Sequence, residues 1–314
     1  MNISKYIKDN QICSIVGATA TGKTALAFKF AGELLSENKF NKIHLLSADS
    51  RQVYQGLENL TGADLPKNFT KLEEKKYPYP VWTNAAGNIY LHGISIIKTK
   101  QEWSAAHFRK LFLQVFKNLS EQEFLIVVGG TGFYQQQINQ PADTLEIPPN
   151  TKLRKELEKL DLEELQVKLQ KLDAAKMQKL NNSDRHNPRR LVRAIEIAQF
   201  LQDQKTSKTT PKITKLKKNI PTFYLSLETE LRQQKIAKRV EERFAKAKEE
   251  VQEQIKHGQF SKAAASCTGF QELKQFLAFK IDQDTCLKLW TKSELQYAKR
   301  QDTWWKKRTD LCYI

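Results

Sequence analysis

The chain has 314 residues, enough for one large domain or for a core with a smaller second unit. Its 52 lysine and arginine residues against 35 acidic residues give a net charge of +17, which favours a polyanionic partner such as nucleic acid over a merely basic surface. The four cysteines lack the spacing of a zinc site, and no signal region or membrane-length apolar run is present, so we expect a cytoplasmic protein that does not contact the membrane.

The first predicted element is a buried strand over residues 12–16, followed by a turn and an apolar helix over 25–31. The turn reads G-x-x-x-x-G-K-T, the pattern of a phosphate-binding loop, in which backbone amides and a helix N-terminus bind phosphate oxygens. Lys23 would reach the outer oxygens, and the Thr24 hydroxyl would ligate Mg²⁺, the expected cofactor. The predicted phosphate-binding residues are Gly17, Ala18, Thr19, Ala20, Thr21, Gly22, Lys23 and Thr24, with Thr24 as the metal ligand.

Two further apolar strands are predicted at 43–46 and 124–128, with an amphipathic helix over 104–119 between them. This alternation is typical of an α/β fold in which helices flank a parallel sheet. Polar segments follow both strands, at 49–52 and 129–134. Because ligands of such sheets bind at the carboxyl ends of the strands, we expect these segments and the phosphate loop to face one cleft.

The composition changes after residue 149 to a Lys-, Glu- and Leu-rich stretch with helical periodicity. We predict a small all-helical insertion over 144–183, between the first part (1–143) and the second part (184–314) of a phosphate-loop core. The second part should hold a basic loop over 205–218, a strand over 223–227 and helices over 230–256 and 297–305.

A helix start is predicted at Asn187-Pro188, with an N-cap residue followed by a proline at the first helical position. Arg189, Arg190 and Arg193 lie in the first turns of this helix. Three arginines together are often only a solvated face, but in a chain with this net charge we predict phosphate contacts.

The chemistry depends on which acid lies beside the phosphate loop. Phosphate-loop kinases and triphosphatases generally carry an aspartate after an apolar strand, whereas the strand over 124–128 ends in Gly-Gly-Thr-Gly. The nearby carboxylate is Asp49. A single carboxylate facing a bound diphosphate suits transfer of a carbon group, with the carboxylate accepting a proton from the nucleophile. From spacing alone, Asp49 could equally be a metal-shell residue or a helix cap.

Taken together, these segments resemble the tRNA dimethylallyltransferases (isopentenyl-diphosphate:tRNA transferases). The similarity extends through nearly the whole chain, and the absence of a C-terminal Cys/His zinc finger favours the bacterial type. The segments that carry it are 17–24, 49–54, 104–108, 128–134, 190–196, 268–273 and 297–304.

The resemblance implies transfer of a dimethylallyl group from dimethylallyl diphosphate to the exocyclic amine of the adenosine 3′-adjacent to the anticodon, with release of diphosphate. Asp49 would be the general base, and Lys23 and Thr131 would complete the catalytic set. The adenine would have to be flipped into a channel to reach the donor. The helical insertion would bind the anticodon stem-loop of tRNA. The implied tRNA contacts are Asp49, Ser50, Arg51, Gln52, Thr131, Arg154, Arg189, Arg190, Leu191, Val192 and Arg193.

Three alternatives stay open. The first is a prenyltransferase acting on free adenine nucleotides, which would not need the insertion or the arginines. The second is a kinase or ATPase, since the loop motif also fits ATP. The third is a non-catalytic RNA-binding protein, which the joint presence of Asp49, Lys23, Thr24 and Thr131 disfavours. The chain departs from the family pattern at 61–66 and 94–98, and we expect a monomer.

Overall fold

The computed structural model describes residues 10–63, 65–73, 76–204, 220–258 and 260–314. Within these residues, eight strands form one sheet. The strands are β1 (Ile12–Val16), β2 (Lys42–Ser47), β3 (Phe69–Leu72), β4 (Val81–Asn84), β5 (Ile89–His92), β6 (Glu123–Gly129), β7 (Thr222–Tyr224) and β8 (Cys312–Tyr313). Their order across the sheet is β3-β4-β5-β2-β6-β1-β7-β8.

The centre of the sheet is parallel, as predicted. β1 lies between β6 and β7, and β2 pairs with the other side of β6. Every residue of β1 is buried, which agrees with its mostly apolar sequence, since parallel strands are covered on both faces. The predicted strand over 223–227 is real but shorter and begins one residue earlier.

One edge of the sheet was not predicted. β3, β4 and β5 form antiparallel pairs, and β5 joins β2 in parallel, so the sheet is mixed. These strands are four residues long, and β4 alternates buried and half-buried positions. Such short, half-buried strands give a weak periodic signal. The α/β class is confirmed, with this antiparallel edge as an addition.

Twelve α-helices occur within the described residues. They are α1 (Lys23–Ser36), α2 (Glu58–Thr61), α3 (Ala105–Lys117), α4 (Gly132–Asn139), α5 (Thr151–Leu157), α6 (Leu162–Leu172), α7 (Ala174–Lys179), α8 (Asn182–Arg185), α9 (Pro188–Gln204), α10 (Thr229–His257), α11 (Phe270–Leu277) and α12 (Gln283–Trp305). None of these helices is both long and apolar enough for a membrane-spanning segment. The predicted basic loop over 205–218 lies outside the described residues.

The chain divides into two compact units. The first comprises Met1–Gln140 and Leu216–Ile314, and the second comprises Pro141–Lys215. In the first unit, α1 packs on the sheet through Phe30 and Leu34, which share a buried cluster with Ile15, Phe124 and Ile126. This cluster fixes the start of α1, and therefore the phosphate loop, against β1.

The second unit is longer than the helical insertion predicted over 144–183. Its core joins Leu153, Leu157 and Leu169 to Leu191 and Ile195 of α9. Because α9 supplies apolar side chains to this cluster, it packs with the insertion, and the second unit extends beyond the predicted boundary at residue 183. The predicted start of α9 is confirmed, since the Asn187 side chain accepts a hydrogen bond from the Arg190 amide at 3.3 Å.

Candidate active site

The phosphate loop connects β1 to α1 with backbone conformations that suit small residues. Gly17 has a φ of +150°, and a Cβ at this position would lie 2.3 Å from the Leu225 carbonyl oxygen. Only glycine fits there, because β7 and the segment after it pass directly behind the loop. The Thr21 hydroxyl donates a hydrogen bond to the Ala18 carbonyl at 3.0 Å, which stabilises the turn of the loop.

Lys23 and Thr24, at the start of α1, line a cavity of about 270 Å³. The Lys23 ammonium donates a hydrogen bond to the Ala18 carbonyl, which holds its side chain along the loop. A helix N-terminus with a lysine and a hydroxyl at one cavity wall is suited to binding a phosphate group.

The strand-end segments after β2 and β6 meet at this cavity, as expected. Asp49, Arg51 and Gln52 line it from the β2 side, and Gly129 and Gly130 line it from the β6 side. One Asp49 carboxylate oxygen accepts the Arg51 amide at 2.8 Å. A Cβ on Gly129 would lie 2.4 Å from the Ala48 carbonyl oxygen, so glycine lets the two strand ends approach closely.

Arg51 and Gln52 are held in place by hydrogen bonds to the protein. Arg51 donates to the Ala263 carbonyl at 2.7 Å. The side-chain carbonyl of Gln52 accepts a hydrogen bond from the Ser47 hydroxyl at 2.8 Å. Its side-chain amide donates to the Gly62 backbone carbonyl at 3.0 Å. Gly62 belongs to the segment 61–66, which departs from the family pattern. This segment therefore helps to hold the cavity wall in place.

Thr131 follows the two glycines that line the cavity at the end of β6. Its amide donates to the Ala48 carbonyl at 3.3 Å, and its buried hydroxyl neighbours the phenol of Tyr297. Thr131 is not among the described residues that line the cavity. Its predicted catalytic role stays a prediction.

Two phenols and one thiol interact electrostatically with Asp49. Burial raises the pKa of Tyr297, and the Asp49 carboxylate raises it further. Burial likewise raises the pKa of Tyr134, whose ring stacks on Phe108 at 4.7 Å, and raises that of Cys267 to about 12. These groups stay protonated at neutral pH, so none of them is available to accept a proton.

A second carboxylate, Glu294, also lines the cavity. It accepts the Thr268 hydroxyl at 3.0 Å and forms an ion pair with Arg243 at 3.4 Å. Glu294 is therefore held at the cavity wall by a hydroxyl and by a guanidinium group.

Two helices that were predicted from the sequence, but without a role in the site, complete the cavity. α10 contributes Lys235 and Arg239, and α12 contributes Glu294, Tyr297 and Gln301. Within each helix the spacing of three or four residues places these side chains on one face. That spacing was visible in the sequence, but similar polar spacings occur on many solvated helix faces.

The donor set fits a magnesium ion bound together with phosphate. Thr24 places a hydroxyl oxygen at the cavity wall that could ligate the ion, and no group of three His, Cys, Asp or Glu side chains that could hold a metal occurs among the described residues. Mg²⁺ commonly takes one or two protein ligands and completes its shell with phosphate oxygens and water. The expectation of Mg²⁺ at Thr24 is therefore compatible with these residues.

The predicted tRNA contacts divide into accessible and inaccessible residues. Asp49, Arg51 and Gln52 line the cavity, but Ser50 is not among the residues lining it. In the second unit, Arg189 is exposed and Val192 is half-buried. Leu191 is fully buried in the helical core, so its predicted RNA contact is wrong for the side chain.

Two of the predicted RNA-binding arginines, Arg154 and Arg193, bind a carboxylate within the second unit. Glu196 is buried and accepts hydrogen bonds from Arg154 at 2.7 and 2.8 Å. Arg193 contacts the same carboxylate at 3.3 Å and donates to the Ile147 carbonyl at 2.8 Å. Arg193 therefore does not project with its neighbours as predicted, because a buried carboxylate requires its charge.

The remaining two arginines differ from each other. Arg190 forms an ion pair with Asp184. Arg189 forms no ion pair with any residue that the structure describes, and its side chain is exposed. Arg189 is the arginine of this group that is most accessible to a phosphate.

Comparisons with known proteins agree with this site. The family model of IPP transferases matches residues 83–308. A tRNA dimethylallyltransferase 2 from Shewanella sediminis is 31% identical over 307 residues, covering 96% of this chain and 90% of the relative. A tRNA dimethylallyltransferase 1 from Azobacteroides pseudotrichonymphae is 28% identical over 304 residues, with the same coverage.

Solved structures share the fold. A tRNA isopentenylpyrophosphate transferase from Staphylococcus epidermidis superposes with a TM-score of 0.59 at 25% identity, covering 96% of this chain and 92% of that one. A eukaryotic dimethylallyltransferase acting on tRNA gives a TM-score of 0.71 at 20% identity, covering 96% and 73%. The chain therefore belongs to the IPP transferase family, whose relatives named here are tRNA dimethylallyltransferases.

Proposed function

We propose that this chain transfers the dimethylallyl group of dimethylallyl diphosphate to the exocyclic amine of the adenosine 3′-adjacent to the anticodon in tRNA. The observation that carries the proposal is the presence of Lys23, Thr24 and Asp49 in one cavity wall. One part of that wall is suited to the diphosphate and the other to the proton that the amine must lose. Family membership supplies the two substrates.

In the reaction, the adenosine amine nitrogen forms a bond to the first carbon of the dimethylallyl group while the bond from that carbon to the diphosphate oxygen breaks. The diphosphate leaves with the electron pair. Asp49 accepts the proton that the amine releases, as a positioned general base does.

Four cations line the cavity in which the leaving group would accumulate charge. Lys23 lies at the loop, Arg51 at the β2 end, and Lys235 and Arg239 on α10. Preorganised positive charge that faces developing negative charge lowers the barrier for its departure. A bound Mg²⁺, for which Thr24 is the expected protein ligand, would neutralise part of the diphosphate charge.

Both units contribute residues to the proposed contact with tRNA. The cavity of the first unit takes the reacting adenosine, which must leave its stack to enter. The second unit presents Arg189 and Arg190 at the exposed N-terminal end of α9, where they would contact phosphates of the anticodon stem-loop. We also propose that the chain acts as a monomer.

The test is incubation of the protein with unmodified tRNA and dimethylallyl diphosphate labelled in the prenyl group, with Mg²⁺ present. We expect label in tRNA, located at the adenosine beside the anticodon after nuclease digestion. Transfer to free adenosine monophosphate instead would favour the free-nucleotide prenyltransferase. Phosphate release from ATP without label transfer would favour the kinase or ATPase.

A further inference from the structure

Phe279 is an exposed aromatic residue in a backbone conformation that side chains disfavour. Its relative exposure is 97%, and its φ is +54°. It lies two residues after the end of α11 at Leu277, in the connection to α12. Residues other than glycine, asparagine and aspartate rarely occupy this left-handed region.

The end of α11 imposes this conformation. The Phe279 amide donates to the Phe276 carbonyl at 3.0 Å, and the Lys280 amide donates to the Gln275 carbonyl at 3.0 Å. These two bonds form a Schellman helix end, in which the residue at the place of Phe279 is usually glycine. A fully exposed phenyl ring gains no burial in return for the backbone strain. Neither the helix end nor the core therefore explains a phenylalanine here.

Phe279 borders an open groove between the C-terminal half of α10 and the α11–α12 connection. Lys248 and Gln252 of α10 line one side, and Lys280 and Ile281 line the other. Phe276, at the base, packs edge to face on Phe244 at 5.4 Å. The groove thus has an anchored apolar floor with an exposed aromatic ring and two ammonium groups at its edge.

These chemical features match single-stranded nucleic acid. Every base has a face that stacks on an aromatic ring, while lysines contact the phosphates that connect the bases. Asp282 also lines the groove, but its carboxylate caps α12 by accepting the Thr285 amide at 2.7 Å. The charged side chains that line the groove are Lys248 and Lys280 against Asp282, which leaves the groove with a net positive charge in a chain whose own net charge is +17.

The groove lies on the same two helices as the active site. α10 carries Arg239 in the cavity and Lys248 in the groove, which are about 14 Å apart along the helix at 1.5 Å per residue. Nine residues at about 100° per residue also place the two side chains on opposite sides of α10, so a nucleotide at the groove would belong to a different part of the tRNA from the nucleotide in the cavity.

We propose that Phe279, Lys248 and Lys280 form an accessory RNA-binding surface on which an unpaired base of the tRNA substrate stacks. The inference rests on the proposed function, because it takes tRNA as the ligand. Phe279 contributes binding and not chemistry, since no reacting atom lies in the groove.

The test compares Phe279→Gly, Phe279→Tyr and the control Leu289→Ala in the full chain. Leu289 is 38% exposed on α12 and does not line the groove. The measurements are the Kd for tRNA by fluorescence anisotropy at several salt concentrations, the KM for each substrate, and Tm.

Phe279→Gly should raise Tm by about 2 °C, because it removes backbone strain. It should also weaken tRNA binding about fivefold or more, the effect of losing one stacked base. Phe279→Tyr and Leu289→Ala should bind tRNA as the wild type does. Lys248→Ala should reduce the salt dependence of tRNA binding, and none of these variants should change the KM for dimethylallyl diphosphate.

Unchanged tRNA affinity and KM in Phe279→Gly would overturn the inference, and the Tm would show that the variant is folded. Loss of self-association in sedimentation, with unchanged tRNA affinity, would also overturn it and would assign the ring to a contact between copies of the chain. Phe279-dependent tRNA binding without any prenyl transfer would instead contradict the proposed function alone.

Discussion

The Gln301 side-chain carbonyl accepts a hydrogen bond from the Thr19 backbone amide at 2.8 Å and so fastens α12 to the phosphate loop. Gln301 is buried, and a Cβ on Gly130 would lie 2.2 Å from its amide nitrogen. One side chain therefore contacts both the loop after β1 and the turn after β6. It holds the two walls of the cavity at a fixed separation.

Replacing Gln301 by alanine should loosen the phosphate loop. Loss of a buried hydrogen bond of this kind costs about 1–3 kcal/mol, so we expect the KM for dimethylallyl diphosphate to rise about tenfold while the KM for tRNA changes little. Steady-state kinetics with each substrate varied in turn measures both values. Thr303→Ala, an exposed position on the same helix, is the control. An equal rise in both KM values would show that the variant disturbs α12 as a whole.

Asp49→Asn separates general-base catalysis from metal binding. The amide keeps the shape of the carboxylate and can still accept the Arg51 amide, but it cannot take up the proton of the amine. Turnover should fall by about a hundredfold to ten-thousandfold, with little change in binding of tRNA or diphosphate. Single-turnover transfer of labelled prenyl group measures the chemical step. Restoration of the rate by excess Mg²⁺, together with lost diphosphate affinity, would make Asp49 a metal-shell residue.

Lys23→Ala and Thr24→Ala test the phosphate loop directly. The first removes charge that faces the departing diphosphate, and the second removes the expected Mg²⁺ ligand. Each should reduce turnover by about a hundredfold or more, measured as diphosphate release in the presence of tRNA. Lys29→Ala is the matched control, because Lys29 is an exposed lysine on the same helix. Normal turnover in the first two variants would place the diphosphate elsewhere.

Arg189→Ala and Arg193→Ala should have different effects. The Arg189 variant should lower tRNA affinity and flatten its salt dependence, since a phosphate contact releases counterions. Arg193→Ala should mainly destabilise the second unit, because it leaves Glu196 buried with one ion-pair partner fewer. Salt titrations of tRNA binding and thermal unfolding of both variants measure the two effects. If tRNA affinity depended on salt concentration equally in the wild type and in Arg189→Ala, Arg189 would be a solvent-exposed residue without an RNA contact.

A buried histidine pair should make stability depend on pH. His44 Nδ1 lies 2.9 Å from His92 Nε2, and the charged groups facing the pair are Glu123, Lys42 and Lys76, with the rings of Tyr77 and Tyr90 packed against it. Burial lowers the pKa of His44 to about 4 from an ordinary value of 6.5, and lowers that of His92 as well.

Between these pH values the unfolded chain binds more protons than the folded chain, so the free energy of unfolding falls as the pH falls from 6.5 towards 4. For His44 alone the loss should be roughly 2 kcal/mol at about pH 5. Urea unfolding at neutral pH and at about pH 5 measures it. His44→Phe should show a smaller loss, and the same loss in that variant would assign the effect to other titrating groups.

The parts of the fold that the sequence predicted are those with a strong local pattern. β1, β2 and β6 are mostly apolar because both faces of the sheet are covered there, and the phosphate loop has a fixed spacing. The antiparallel edge of β3–β5 was missed because half-solvated strands of four residues resemble loops. Lys235 and Tyr297 were missed because only the packing of α10 and α12 brings them to the cavity.

The errors in the second unit have a different cause. Leu191 and Arg193 were assigned to RNA together with their neighbours, since the family resemblance concerned a continuous segment. In the structure one side chain enters the helical core and the other pairs with a buried carboxylate. Residues that are adjacent in a helical segment point in different directions, so a segment cannot be assigned to one surface as a whole.

The contact between Thr19 and Gln301 spans 282 residues, and this has a consequence for synthesis of the protein. The phosphate loop emerges from the ribosome long before the side chain that holds it, and β1 must wait for both β6 and β7 before its ladder is complete. Contacts so distant in sequence form late in folding. A chain that stalls during translation before residue 301 therefore has a phosphate loop without the side chain that fastens it.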